Sequence, residues 1–267
     1  MRLLFIGDIV GAAGRRMVLE HLPRLIDEYK IDFTVANGEN AANGFGLNRR
    51  VFDELHDCGV DCLTMGNHTF DNKDIYSFID REEALIRPAN YPPGLPGRGV
   101  GVYPVLGKRL RVINLIGRVF MRAADCPFRT LDGLLAADEA DWTLVDMHAE
   151  ATSEKVAMGW YCDGRVSAVV GTHTHVPTAD ARLLQRGTGY VTDAGMTGPR
   201  DSVLGVDKDI IIERFLPGFS PRFETARGDL QFNSVLIDLA EDGACAGVQR
   251  LDLWRSEEHT SELQSRI

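Results

Sequence analysis

The segment VGTHTHVP (residues 170–177) sets His173 and His175 one residue apart, directly after the apolar run VSAVV. Residues i and i+2 of a strand share a face. Gly171 and Pro177 bracket the pair, however, which places both imidazoles in a loop where a strand stops. The same arrangement recurs along the chain. RLLFIG is followed by Asp8, FTVANG by Glu39 and Asn40, CLTMG by Asn67 and His68, and TLVDM by His148. Five apolar runs thus end in a carboxylate, an amide or an imidazole. Ligands of open α/β sheets bind beyond the carboxyl ends of strands, so these residues are expected to meet although the sequence separates them.

Taken singly, each has a bland explanation. Asp8 would serve as a turn residue or helix cap, and Asn67 as a turn amide. His21 and His56 fall on expected helices and keep that bland reading. Jointly the pattern points to a metal, because four of the seven histidines (His68, His148, His173, His175) follow apolar strands. Oxygen and nitrogen donors without thiolates suit zinc, manganese or iron rather than a cluster or Cu(I). Two carboxylates, two amides and at least three imidazoles are too many for one tetrahedral centre. Two ions sharing a bridging carboxylate would use them all, with the adjacent histidines serving different ions.

The elements that must position these residues alternate in type. RLLFI (2–6), FTVA (33–36), CLTM (62–65), RVINLI (111–116), WTLVDM (142–147), VSAVV (166–170) and YVT (190–192) read as buried strands. Helices are expected over 14–30, with a bend or early break at Pro23, and over 48–59, from an Asn48 cap to a Gly59 stop. Further helices are expected over 73–80, 130–141 and 152–162, and the proline-bearing stretch 87–104 reads as a long irregular connection. LQFNSVLIDLA (230–240) and GVQRLDLW (247–254), joined through Glu-Asp-Gly, read as an antiparallel hairpin. The expected fold class is α/β (α+β), with mixed sheets covered on both faces. Residues 1–254 read as a single domain. The remainder, RSEEHTSELQSRI (255–267), lacks apolar periodicity, resembles translated adapter sequence, and is expected to be a non-native, disordered tail.

Composition narrows the function classes. With 44% hydrophobic and 25% charged residues the chain is ordinary globular protein. No run approaches the ~20 apolar residues that span a bilayer, and the start MRLLFIGD is cut by a carboxylate, unlike a secretory leader. A cytoplasmic home without membrane attachment is expected. The five cysteines form no CxxC pair, which argues against a disulfide framework or thiolate site. A net charge of −10 disfavours long nucleic acid as a partner but leaves a small phosphate ester open, since a metal can supply positive charge locally.

GDIVG, GEN, GNH, the strand-end histidine and GTHTH, in that order, resemble the calcineurin-like metallophosphoesterase superfamily. VANGENAANGFGL, LTMGNHTFDNKDI, NLIGRVFM, VVGTHTHVPTAD and TDAGMTGPRDSVLGV resemble its bacterial YmdB-like branch, the 2′,3′-cyclic-nucleotide 2′-phosphodiesterases. The resemblance implies a four-layer α-β-β-α sandwich of two mixed sheets flanked by helices. It also implies one metal held by Asp8, Glu39, Asn40 and His175, and a second held by Glu39, Asn67, His148 and His173. His68 would be the proton donor. The usual Asp-x-His of the superfamily is here Asp8-Ile9-Val10, and the usual bridging aspartate is Glu39, both departures being those of the branch.

The chemistry implied is hydrolysis of a phosphodiester. Two cations acidify a bridging water and neutralise the phosphoryl oxygens during in-line displacement. A cyclic nucleotide attacked so that its 2′ oxygen leaves would give a 3′-nucleotide. The resemblance points to iron or manganese, zinc tolerating similar donors, and to self-association of the chain. Asp193 is expected to orient a ligand histidine, while Arg118 and Arg200 are not assigned to the site. The rival readings are a phosphomonoesterase or phosphoprotein phosphatase using the same metals, and a regulator that binds a nucleotide without turnover.

Overall fold

The computed structural model describes residues 1–256 apart from 138–139 and 217–221. The chain begins β1 (Arg2–Ile6), β2 (Asp8–Ile9), α1 (Gly11–Tyr29), β3 (Phe33–Asn37), α2 (Arg49–Asp57), β4 (Cys62–Thr64) and β5 (Leu85–Ile86). It continues β6 (Val100–Val105), β7 (Lys108–Ile116), α3 (Pro127–Ala137), β8 (Trp142–His148), α4 (Thr152–Cys162), β9 (Ala168–Thr172), β10 (Arg182–Leu183) and β11 (Gly189–Val191). The last elements are β12 (Met196–Pro199), α5 (Lys208–Phe215), β13 (Leu230–Phe232), β14 (Ser234–Leu239), β15 (Cys245–Arg250) and β16 (Leu253–Arg255).

Two six-stranded mixed sheets carry the fold, in the orders β15-β14-β1-β3-β4-β5 and β10-β11-β9-β8-β7-β6. In the first, β1, β3, β4 and β5 are parallel and β14 and β15 antiparallel; in the second, β7, β8, β9 and β11 are parallel. The period of two along each strand sorts side chains into three cores. Leu4 and Ile6 of β1 pack with Met17, Val18 and Leu22 of α1 and Phe52 of α2. Leu3 and Phe5 turn the other way, onto Val112, Leu144 and Val170 of the second sheet. That sheet's outer face, Ile113, Val145, Met147 and Val169, packs on Leu131 of α3 and Met158 of α4. Helix, sheet, sheet, helix is therefore the layer order, as the resemblance implied. Phe5 is fully buried, and truncating such a side chain to alanine costs about 3–5 kcal/mol. A third, four-stranded sheet, β16-β13-β12-β2, lies beside this sandwich and was not expected.

Several local expectations are corrected. α1 runs unbroken for 19 residues through Pro23. The residue whose carbonyl loses its partner there is Leu19, on the exposed side. The expected helix at 73–80 is a single 3-10 turn, Lys73–Ser77, capped by the Asn72 side chain accepting from Asp74 N. The irregular stretch 87–104 ends in the edge strand β6, where Pro104 is tolerated because one side of the strand is unpaired. The 230–240 strand breaks at Asn233, whose N–H donates to Thr197 and whose side chain bonds Asp252. β13 thereby joins the small sheet and β14 the first, while β14 and β15 form the expected hairpin. α5 was not foreseen. Of the helix expected over 130–141, positions 138–139 lie outside the described residues, as does the tail from 257. Arg255, counted with the tail, belongs to β16 and pairs with Glu20. No described helix is long and apolar enough to cross a membrane.

Candidate metal centre

The carboxyl ends of both large sheets open at one place. Asp8 opens β2 one residue past the end of β1, and Glu39 and Asn40 follow β3 and Asn67 and His68 follow β4 of the first sheet. From the second, His148 is the last residue of β8, and His173 and His175 follow β9. The eight side chains come together in one cluster.

His148 Nε2 is the hub. It lies 3.0 Å from Glu39 Oε1, 3.1 Å from Asn67 Oδ1 and 3.1 Å from His173 Nδ1. Neighbouring donors about 2.1 Å from one ion stand roughly 3 Å apart, so these four atoms suit a single cation. Glu39, His148 and His173 alone place three ligand atoms within 4.8 Å of one another. The other half is looser. Asp8 is fully buried, with Oδ2 accepting from His173 N at 3.2 Å. Its Oδ1 is buried without a hydrogen-bond partner, 3.7 Å from His175 Nε2. A sealed carboxylate oxygen lacking a donor is costly unless a positive charge faces it, so the residues present fit a second cation there. Asn40 presents Nδ2 to His175 Nε2 at 3.2 Å and would ligate only after its amide turns over.

Each imidazole is anchored through the nitrogen facing away from the centre. Thr172 Oγ1 lies 2.9 Å from His148 Nδ1 and donates in turn to Asp146 Oδ1 at 2.7 Å. Leu204 O lies 3.0 Å from His175 Nδ1 and Asp71 Oδ2 2.7 Å from His68 Nδ1. Glu150 Oε2 lies 3.1 Å from His173 Nε2. The loop bearing the histidine pair is strained: His173 has φ 98° and His175 φ 63°. Such conformations cost on the order of 1–3 kcal/mol each. Asp193 holds them by accepting from both the backbone N–H and the hydroxyl of Thr174. Gly66 is required by close approach, since a Cβ there would stand 2.2 Å from His148 Nε2.

The electrostatics follow from burial and pairing. Burial works against charge on Glu39, but His148's charge and hydrogen bond outweigh it and hold the carboxyl down to about 2. Burial equally opposes charge on His148, and Glu39 outweighs it, raising the imidazole to about 9. Burial, then repulsion from His148, lowers His173 to about 3. Burial pushes Asp8 up, with His175 and His148 pulling against it. Away from the centre, burial raises the thiols of Cys62 and Cys162 to about 12 and of Cys58 and Cys245 to about 11, so these cysteines are packing residues.

A cavity of about 260 Å³ adjoins the centre, walled by Phe45, His68, Glu150, His175, Leu204 and Phe223. Phe45 meets His68 edge-on, ring centroids 5.0 Å apart. Sequence reasoning missed Asp71, Asp146, Glu150 and Lys155. Asp71, three residues after His68 in NHTFD, and Glu150, two after His148 in DMHAE, had a signal, whereas Asp146 and Lys155 are brought to the centre only by the sheet and helix packing. Arg200, left unassigned, stacks its guanidinium over Trp254 at 4.4 Å.

Two mixed sheets presenting such donors at their facing carboxyl ends define a calcineurin-like metallophosphoesterase. The chain belongs to the YmdB-like protein family, whose model matches residues 4–251. It is 53% identical over 241 residues to the 2′,3′-cyclic-nucleotide 2′-phosphodiesterase of Bacillus subtilis (strain 168), spanning 90% of this chain and 91% of that protein. Among solved structures, a novel phosphatase from Mycoplasma pneumoniae superposes with a TM-score of 0.92 at 32% identity, covering 98% of this chain and 96% of that one. A hypothetical protein from Thermus thermophilus gives 0.91 at 45% identity, over 96% and 100% of the two chains.

Proposed function

We propose that the chain is a metal-dependent phosphoric diester hydrolase that opens 2′,3′-cyclic nucleotides to 3′-nucleotides. The observation that carries this is the hub at His148 Nε2, with Glu39, Asn67 and His173 around it and His68 on the wall of the adjoining cavity. The likeness to the Bacillus subtilis phosphodiesterase supports the choice of substrate.

On this reading Glu39, Asn67, His148 and His173 would hold one cation, and Asp8 and His175, with Glu39 and a turned-over Asn40, would hold the other. Such a pair supplies a water acid enough to ionise near neutral pH and positive charge against the phosphoryl oxygens. Iron, manganese and zinc all suit the donors. The chain's own residues do the rest. Water oxygen bonds to phosphorus as the bond from phosphorus to the 2′ oxygen breaks. His68 gives its Nε2 proton to that departing oxygen, held in line by Asp71 at Nδ1. Help of this kind is worth ~10²–10⁴-fold. Phe45 and Phe223 offer flat apolar faces for a nucleobase.

Among the described residues lining the cavity there is no lysine or arginine, while Glu39, Glu150 and Glu224 are present. With no such positive side chain in the lining, attraction for the phosphoryl group would have to come from the cations. The test is incubation of metal-loaded protein with adenosine 2′,3′-cyclic phosphate and identification of the product. The 3′-monophosphate is expected. The 2′-monophosphate, or faster release of phosphate from nucleotide monoesters, would overturn the reading.

A further inference from the structure

Four imidazoles surround the centre, and three share one orientation. His68, His148 and His175 give Nδ1 to an anchor (Asp71, Thr172 and the Leu204 carbonyl), which leaves Nε2 for the site. His173 is inverted. Its Nδ1 stands 3.1 Å from His148 Nε2, inside the donor cluster, and its Nε2 meets Glu150 Oε2 at 3.1 Å.

We propose, resting on the metal-centre reading, that Glu150 is the positioning residue that makes His173 a ligand through Nδ1. A neutral imidazole carries one N–H, and only the bare nitrogen can coordinate. By accepting the N–H of Nε2, Glu150 fixes the tautomer and holds the ring plane, as carboxylates behind metal-bound histidines do. His173 needs this more than its neighbours. Its ring would enter the site through the nitrogen nearer the backbone, on a loop residue, whereas His148 ends a paired strand and His175 turns Nδ1 to the Leu204 carbonyl. Glu150 is half exposed, its side chain at 50%, so it is not a packing residue whose loss would open a core. It follows β8 by two residues, and the position of the strand end sets its reach.

The experiment is calorimetric titration of metal-free protein with Mn²⁺ alone, without substrate, for the native chain, Glu150→Ala and Glu150→Gln, together with the melting temperature of each metal-free form. The native chain is expected to take two ions. In Glu150→Ala one site is expected to weaken by ~10–100-fold with the other unchanged. Glu150→Gln, whose amide oxygen still accepts from Nε2, is expected to recover most of that loss, and all metal-free forms to melt alike. Native-like titration by Glu150→Ala would overturn the proposal, whether or not KM for the cyclic nucleotide rises. Equal loss in both variants would also overturn it, assigning the effect to charge rather than to the hydrogen bond. Failure of the native chain to bind two ions would instead overturn the metal-centre reading itself.

Discussion

Lys155 Nζ lies 2.5 Å from Asp193 Oδ2, and neither side chain reaches solvent. The same carboxylate oxygen accepts from the Thr174 backbone and hydroxyl, and Oδ1 accepts from Gly195 N. The ion pair thus clamps the residue between His173 and His175. Lys155→Met strands a buried carboxylate, and breaking such a pair costs about 3–5 kcal/mol. Denaturant unfolding should show a loss of that size. The double variant Lys155→Met, Asp193→Asn should recover part of it, because no uncompensated charge remains. Equal stability of single and double variants would contradict the clamp.

Gly66 is fixed by contact rather than by its backbone angle. A methyl group there would stand 2.2 Å from His148 Nε2. Gly66→Ala should therefore displace the imidazole, lower phosphodiesterase turnover by at least ~10²-fold through misplacement of the site, and leave the circular dichroism spectrum native. Normal turnover would show that His148 does not need its observed position.

His68 should matter in proportion to the leaving group. His68→Ala should keep both metals while turnover of a cyclic nucleotide drops by ~10²–10⁴-fold. A bis-nitrophenyl ester, whose leaving group needs no proton, should lose far less. Equal losses on the two substrates would remove the proton-donor role.

Away from the centre, His21 introduces acid sensitivity. Burial lowers its pKa below the ordinary 6.5, and its Nε2 has no hydrogen-bond partner. The unfolded chain therefore takes up the proton first as pH falls below 6.5, and stability drops until the lower folded value is reached. Above pH 6.5 both states are neutral and the contribution is flat. Urea midpoints measured between about pH 7.5 and 5 should fall less steeply for His21→Gln than for the native chain. Parallel slopes would contradict the assignment.

Much of the centre was legible because each donor closes a short apolar run, and strand ends are read from burial pattern and turn residues together. Asp8, Glu39, Asn67, His148 and the histidine pair all announce themselves in this way. What supports them does not. Asp146 lies inside the buried run WTLVDM and reaches His148 only across Thr172 of the next strand. Lys155 reads as a solvated helix residue until α4 packs on β9 and carries it to Asp193. The small third sheet escaped notice because β2, β12, β13 and β16 have two to four residues each, too few for a period of two to show. Pro23 misled in the other direction: a helix tolerates it where the freed carbonyl lies on the exposed side.

The most direct test is anaerobic metal analysis of the purified chain and of Asn67→Ala, paired with product identification from a 2′,3′-cyclic nucleotide. Two ions per native chain, about one in the variant, and a 3′-nucleotide made only by the native chain are expected. A native chain that holds one ion or none while still cleaving the nucleotide, or a variant that keeps both, would contradict the two-cation centre.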